Sequence, residues 1–213
     1  ISTTRSPQAV IGSLIKSWLP EKTGIPKEKI RSISIMPCTA KKDEAARQAL
    51  AKDAVPDVDL VLTVREFAKL LKGKGIDLRK LEGQDFDTPF MSKGSGAAVI
   101  FGKTAGVAEA AARTVYYVLT GKNVNSIQFK TSEHPHVEQE LTIDLGEGKS
   151  PLRIGVVHGL ANADYIADEV LSGKSPFDFI EVMSCPGGCI NGGGTPREAG
   201  DYHPFNLERT KVL

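Results

Sequence analysis

An α/β fold, mainly parallel sheet flanked by helices, is predicted by three observations. Short apolar runs recur at ISIM (33–36), DLVLTV (59–64), RIGVVHG (153–159) and FDFIEVM (177–183). Helical-period segments lie between them. This alternation of apolar strands with helices along the chain argues for α/β layering with parallel strands. The exception is IQFKT and EQELTID around the turn EHPH, whose alternation predicts a small antiparallel hairpin near 126–145.

In chain order, Ser6-Pro7 reads as a helix cap followed by proline at the first helical position. Val10, Ile11, Leu14, Ile15 and Trp18 mark one apolar face, and Pro20 is expected to end that helix. After the 33–36 strand, Thr39 is placed to cap an alanine-rich helix from about Lys41 to Lys52. The 59–64 strand leads into a helix over roughly 65–72. A glycine-spaced stretch, 94–106, precedes a helix from Gly106 to about Leu119, and NADYIADEVLSG (162–173) supplies the helix between the last two strands.

Twenty-seven basic residues against twenty-six acidic ones leave no electrostatic case for nucleic acid or an anionic membrane. No apolar run approaches the length of a spanning helix, and ISTTRSPQAVIG has no signal-peptide pattern. Cytoplasmic residence is the default reading. Three cysteines cannot all pair with one another, so thiols or metal ligands are expected.

Cys38 follows the 33–36 strand, and Cys185 follows FDFIEVM. Ligands of parallel α/β sheets gather beyond the carboxyl ends of strands, so both segments point to the site-bearing edge. SCPGGCINGGG (184–194) holds Cys185 and Cys189 among five glycines. Thiolates suit iron–sulfur clusters, zinc or copper(I). A four-iron cubane takes four cysteines, and C-x₃-C is neither the usual zinc knuckle nor a redox C-x-x-C. Gly187, Gly188 and Gly192–Gly194 let backbone approach a bulky inorganic group. A flexible loop with incidental cysteines stays open on these residues alone. AAVIFGKT (97–104) fits a relaxed phosphate-loop pattern, but its bulky middle argues against phosphate. His134 and His136 are read as a solvated hairpin tip rather than a zinc site.

MPCTAKKDEAAR (36–47) and EVMSCPGGCINGGGTP (181–196) closely resemble two of the three signature segments of iron-only (di-iron) hydrogenases. ISTTRSPQ resembles the region after the first signature, and SGAAVIFGKTAGVAEAAAR (95–113) the stretch between the other two. The resemblance implies a 4Fe-4S cluster joined through one cysteine to a di-iron subcluster. It implies Cys38 and Cys185 as cubane ligands and Cys189 as the bridging cysteine. It further implies Lys41 as a donor to a cyanide ligand, with Met36, Met183 and Phe101 as walls around the di-iron unit. Ser2 falls where the family has a serine in its proton relay, and Gln8 falls near the pocket. Unaided, Met36 and Met183 would read as core filler and Lys41 as a solvated lysine.

The family's first signature is absent, and the chain stops at NLERTKVL before the usual closing helices. Lys103 and Ala105 depart from the small residues and glycine pair of relatives. The expectation is the C-terminal part of a hydrogenase H-cluster domain, in one piece or across parts of two α/β lobes, inactive alone. Implied partners are the upstream remainder of the hydrogenase, a ferredoxin-like or nicotinamide-linked electron carrier, and maturation proteins. A leader on that remainder would move the enzyme to the periplasm. The alternative is a hydrogen-sensing or iron–sulfur assembly relative without efficient catalysis.

Overall fold

The computed structural model describes residues 5–86, 94–146 and 148–196. Ser2 lies outside them. The chain divides into two units, Ile1–Gly83 with Gly192–Gly200 and Gln84–Asn191 with Asp201–Leu213.

In the first unit, helix α1 (Pro7–Thr23) starts as its residues dictate. The Ser6 hydroxyl accepts the Ala9 N–H at 3.2 Å, and Pro7 occupies the first turn. Pro20 does not end the helix, contrary to expectation. Pro20 lies one turn from the end, where its missing N–H and its ring clash are tolerated, and the chain continues until left-handed Gly24, which donates to Pro20 O at 2.8 Å. The expected apolar face is not the buried one: Val10, Ile11 and Trp18 are exposed, and α1 instead buries Gln8, Ala9, Gly12 and Lys16, a stripe that carries a charge. Lys16 is 6 % exposed and donates to Asp59 at 2.7 Å and to the Ile30 carbonyl at 2.6 Å.

Strand β1 (Ile33–Met36) is followed by helix α2 (Ala40–Ala45). Thr39 makes no side-chain cap, and α2 stops well short of Lys52. A 3₁₀ turn at Gln48–Leu50 leads instead into a hairpin of β2 (Ala51–Lys52) and β3 (Val55–Pro56). Asp53 and Ala54 take φ 55° and 60° at its tip, so turn geometry overrides alanine's helix propensity. Strand β4 (Leu60–Thr63) pairs parallel with β1, Ile33 opposite Leu60 and Met36 opposite Thr63. Helix α3 (Val64–Gly73) opens on a reciprocal capping box between Thr63 and Glu66. The Lys42 ammonium, then the Thr63 amide and hydroxyl, hold the Glu66 carboxyl down to about 2.

In the second unit, helices α4 (Gly96–Ile100) and α5 (Gly106–Thr120) precede a four-stranded sheet. Its order is β5 (Lys130–Thr131), β6 (Gln139–Ile143), β7 (Leu152–His158), β8 (Phe179–Met183), with helix α6 (Leu160–Leu171) between the last two. The hairpin expected near 126–145 is β5–β6, and β6 runs on antiparallel to β7, so this sheet is mixed. β7 and β8 are parallel, with His158 opposite Met183. Residues of β7 alternate between two cores. Ile154 and Val156 pack with Ala108 and Ala112 of α5, while Val157 packs with Ile166 of α6. The α/β layering therefore holds, and Cys38 and Cys185 each lie two residues past the carboxyl end of a parallel-paired strand.

Candidate metal centre

Within the first unit, Cys38 is a half-buried thiol at the carboxyl end of β1. Its neighbour Pro37 accepts the Gly194 N–H at 2.7 Å, and Gly194 O accepts the Arg65 N–H at 3.1 Å. A Cβ on Gly194 would lie 2.9 Å from Thr63 Cβ and 3.0 Å from Pro37 O. Glycine is therefore required where this segment passes between the ends of β1 and β4.

Lys41 is not a freely solvated lysine: its ammonium donates to Glu44 at 2.5 Å, and the Ser6 hydroxyl donates to the same carboxylate at 2.5 Å. Burial pushes Glu44 up, but the bonds from Lys41 and Ser6 outweigh it and hold the carboxyl below its ordinary value. An ammonium carries three donors, so this ion pair leaves Lys41 capacity for an anion. Gln8 is buried, donates to Lys41 O at 3.3 Å and accepts from Ser34 Oγ at 2.6 Å, tying α1 to β1 and α2. Met36 is half-buried at the end of β1 and lines an apolar groove with Pro7 and Ile11. Glu44 was not among the expected residues; its i, i+3 spacing from Lys41 is the available signal.

Within the second unit, Cys185 is half-buried and Cys189 is exposed at the start of a 3₁₀ turn, Cys189–Asn191. The loop folds on itself: Gly188 N–H donates to Cys185 O at 3.0 Å, and Asn191 N–H to Gly188 O at 3.1 Å. Gly188 has φ 86°, and a Cβ there would lie 2.7 Å from both Lys103 C and Thr104 N. Only glycine fits. Ile190 N–H donates to Gly102 O at 2.9 Å, next to half-buried Phe101. Met183 is buried at the end of β8.

Two buried groups beneath this loop are invisible to motif reading. The Glu181 carboxylate accepts from Ala105 N–H at 2.9 Å and Ala108 N–H at 2.6 Å. Burial pushes its carboxyl up, opposed by those amides and by that of Val107. His158 Nε2 lies 3.2 Å from Thr104 Oγ1, and burial holds this imidazole below its ordinary range, with Glu138 opposing.

The family model for the iron-only hydrogenase large subunit, C-terminal domain, matches residues 1–193. The chain belongs to this hydrogenase family. It is 43 % identical over 212 residues to the NADP-reducing hydrogenase subunit HndD of Solidesulfovibrio fructosivorans, covering all of this chain and 35 % of that one. It is 40 % identical to the periplasmic Fe hydrogenase large subunit of Nitratidesulfovibrio vulgaris, covering 99 % of this chain and 49 % of the relative. A cytosolic Fe-S cluster assembly factor of Danio rerio is also similar, 33 % identical over 94 % of this chain and 49 % of its own length. Among solved structures, an FeFe-hydrogenase variant from Chlamydomonas reinhardtii matches with a TM-score of 0.80 at 32 % identity, covering 100 % of this chain and 60 % of that one. The chain thus spans between about a third and a half of these curated relatives.

For a hydrogenase-family chain the donor set fits an iron–sulfur group: three soft cysteines and glycine-only backbone at Gly188 and Gly194. Among the described residues, no group of three or more His, Cys, Asp or Glu is gathered into a metal site. Cys38 belongs to the first unit and Cys185 and Cys189 to the second.

The other sequence motifs resolve differently. Ala97–Ile100 of the phosphate-loop pattern are helical. The amides that follow are already used: Lys103 on Ile100 O, Ala105 on Glu181 and Gly106 on Lys103 O. The histidine pair corrects the expectation of a solvated hairpin tip. His134 Nε2 lies 3.1 Å from Glu169 Oε2 and packs edge-on to Phe177, while His136 stacks on Tyr165 at 4.2 Å. The tip is fastened to α6 because each imidazole finds an aromatic or polar partner there.

Proposed function

We propose that this chain supplies three cysteine ligands of a hydrogenase H-cluster and works within a larger enzyme that interconverts protons, electrons and dihydrogen. In this reading Cys38 and Cys185 hold a 4Fe-4S cubane, and Cys189 bridges it to a di-iron subcluster. The fourth cubane ligand comes from outside these residues. When bound, the cluster supplies electron transfer and the splitting or formation of dihydrogen.

The observation that carries the reading is the seating of the glycine run. Five residues after Cys189, Gly194 binds the carbonyl of Pro37, the residue before Cys38. One signature segment therefore ends on the backbone of the other. Lys41 is the cation for an anionic ligand, held in place by Glu44. Met36, Met183 and Phe101 form apolar walls, Ser2 serves in proton relay, and Gln8 orients Lys41 through its carbonyl. Electrons arrive from a ferredoxin-like or nicotinamide-linked carrier, and maturation proteins install the di-iron unit.

The similar assembly factor motivates a second reading, an iron–sulfur assembly protein without turnover. The full-length protein, co-expressed with maturation proteins, distinguishes the two by hydrogen evolution from a reduced viologen dye. The hydrogenase reading predicts turnover that Cys189→Ser abolishes. Cluster-loaded protein with no turnover supports the assembly reading.

A further inference from the structure

Helix α5 has an unusual start. Its cap position is Ala105, in the left-handed region at φ 62° and with no side chain that can accept a hydrogen bond. The exposed amides of a helix N-terminus normally find a local Ser, Thr, Asp or Asn. Here they find Glu181, 76 residues away on β8 and 5 % exposed. A buried carboxylate is an expensive cap, since ionised groups lose solvation in the interior. What the distant carboxylate adds is a tie between α5 and the strand that runs directly into Cys185.

That tie closes a ring. Glu181 holds Ala105 and Ala108 from beneath. Thr104, one residue earlier, is held by His158 at 3.2 Å. The same 102–104 turn receives the cysteine loop from above, through Ile190 N–H on Gly102 O at 2.9 Å and Gly188 pressed against Lys103 and Thr104 backbone. A single stretch of chain, 181–190, thus grips the 102–105 turn at both ends.

We infer that Glu181 is a positioning residue for the cysteine loop: by clamping the 102–105 turn, with His158 assisting through Thr104, it fixes the platform on which Gly188 and Ile190 seat Cys185 and Cys189. Its relevance to a cluster rests on the ligand roles proposed above; the platform itself does not. A carboxylate is acceptor-only and matches converging N–H groups, whereas a glutamine turns an NH₂ toward one of them. Glu181→Gln is therefore nearly isosteric yet breaks the clamp. Thr104→Val removes only the hydroxyl that meets His158.

The test uses the full-length protein without metal, with alkylation by iodoacetamide and amide hydrogen exchange as readouts. Glu181→Gln is expected to speed alkylation of Cys185 relative to Cys38 by about tenfold, through local opening of the loop. Exchange rises over 186–191, while the β6–β7 amides keep wild-type protection. Thr104→Val gives a smaller change in the same direction. Iron retained after reconstitution with ferrous iron and sulfide falls in the same order. Unchanged Cys185 reactivity and loop exchange in Glu181→Gln overturn the inference. So does loss of β6–β7 protection in that variant together with an unaltered loop in Thr104→Val, because Glu181 then serves only global stability. Wild-type protein that takes up no iron while the loop effects appear defeats the ligand reading and leaves the platform standing.

Discussion

Cys38 and Cys185 each follow a strand in a parallel pair, but the ground beneath them differs. β1 is half open to solvent, with Ile33 59 % and Ile35 45 % exposed. Its unit is tied together largely by polar links: Lys16 to Asp59, Gln8 to Ser34 and Lys41 O, and Glu44 to Lys41 and Ser6. β8 instead rests on β7, whose Ile154, Val156 and Val157 are fully buried between two helices. The Cys38 strand is held largely by specific charges and amides, whereas the Cys185 strand adds a dry core to its polar clamp at Glu181. Dry packing is non-directional and tolerant of small shifts in charge, whereas a polar link fails outright when one partner is removed.

The largest effect expected from this contrast is at Asp59. Asp59→Ala leaves the Lys16 ammonium buried without its carboxylate and costs about 3–5 kcal/mol. Urea unfolding should show the loss in the first unit, with β6–β7 amide protection in the second unchanged. In the second unit Ile154→Ala should cost about 3 kcal/mol through the cavity it leaves, with no effect on the Lys16–Asp59 link. Together the two variants break the comparison if either destabilises both units equally.

Gly188→Ala sharpens it on a smaller scale. The φ of 86° and the 2.7 Å approach to Lys103 and Thr104 backbone predict a cost of about 2 kcal/mol, read as a lowered Tm and faster exchange at Ile190. A silent Gly188→Ala would mean that the loop is not seated on the 102–104 turn.

Much of this architecture is legible in sequence, and most of what is not rests on distant partners. The Ser6-Pro7 helix start, the strands and the carboxyl-end placement of both cysteine segments follow from local pattern. Lys16 and Glu181 do not, because a charged residue is read as solvated unless its partner is known. Those partners lie 43 and 76 residues away. The short α2 is the local exception, because alanine propensity carries no trace of the Asp53–Ala54 turn. The fastened histidines at the hairpin tip were missed for the same nonlocal reason, since their partners lie on α6 and at Phe177. For the candidate site, the cysteines and glycines are plain in the motif, whereas Glu44, Glu181 and His158 emerge only in three dimensions.

The smallest predicted effect is a pH slope confined to the second unit. His158 is held below its ordinary value by burial, so the folded state resists a proton that the unfolded chain accepts. Its contribution is therefore intact above the unfolded value of roughly 6.5 and declines as pH falls below it. The His158 part of the second unit's stability should fall between about pH 7 and 5, against an opposite slope from the raised Glu181 carboxyl, and His158→Gln should remove that part. A slope that persists unchanged in His158→Gln assigns it to another group.

The most direct measurement is iron and acid-labile sulfide in the anaerobically purified full-length protein, compared with Cys38→Ser and Cys185→Ser. Under the proposed ligand roles, the wild type carries on the order of four iron and four sulfide at that site. Either substitution alone then depletes both elements together. Full wild-type iron and sulfide in either serine variant would contradict the shared cluster.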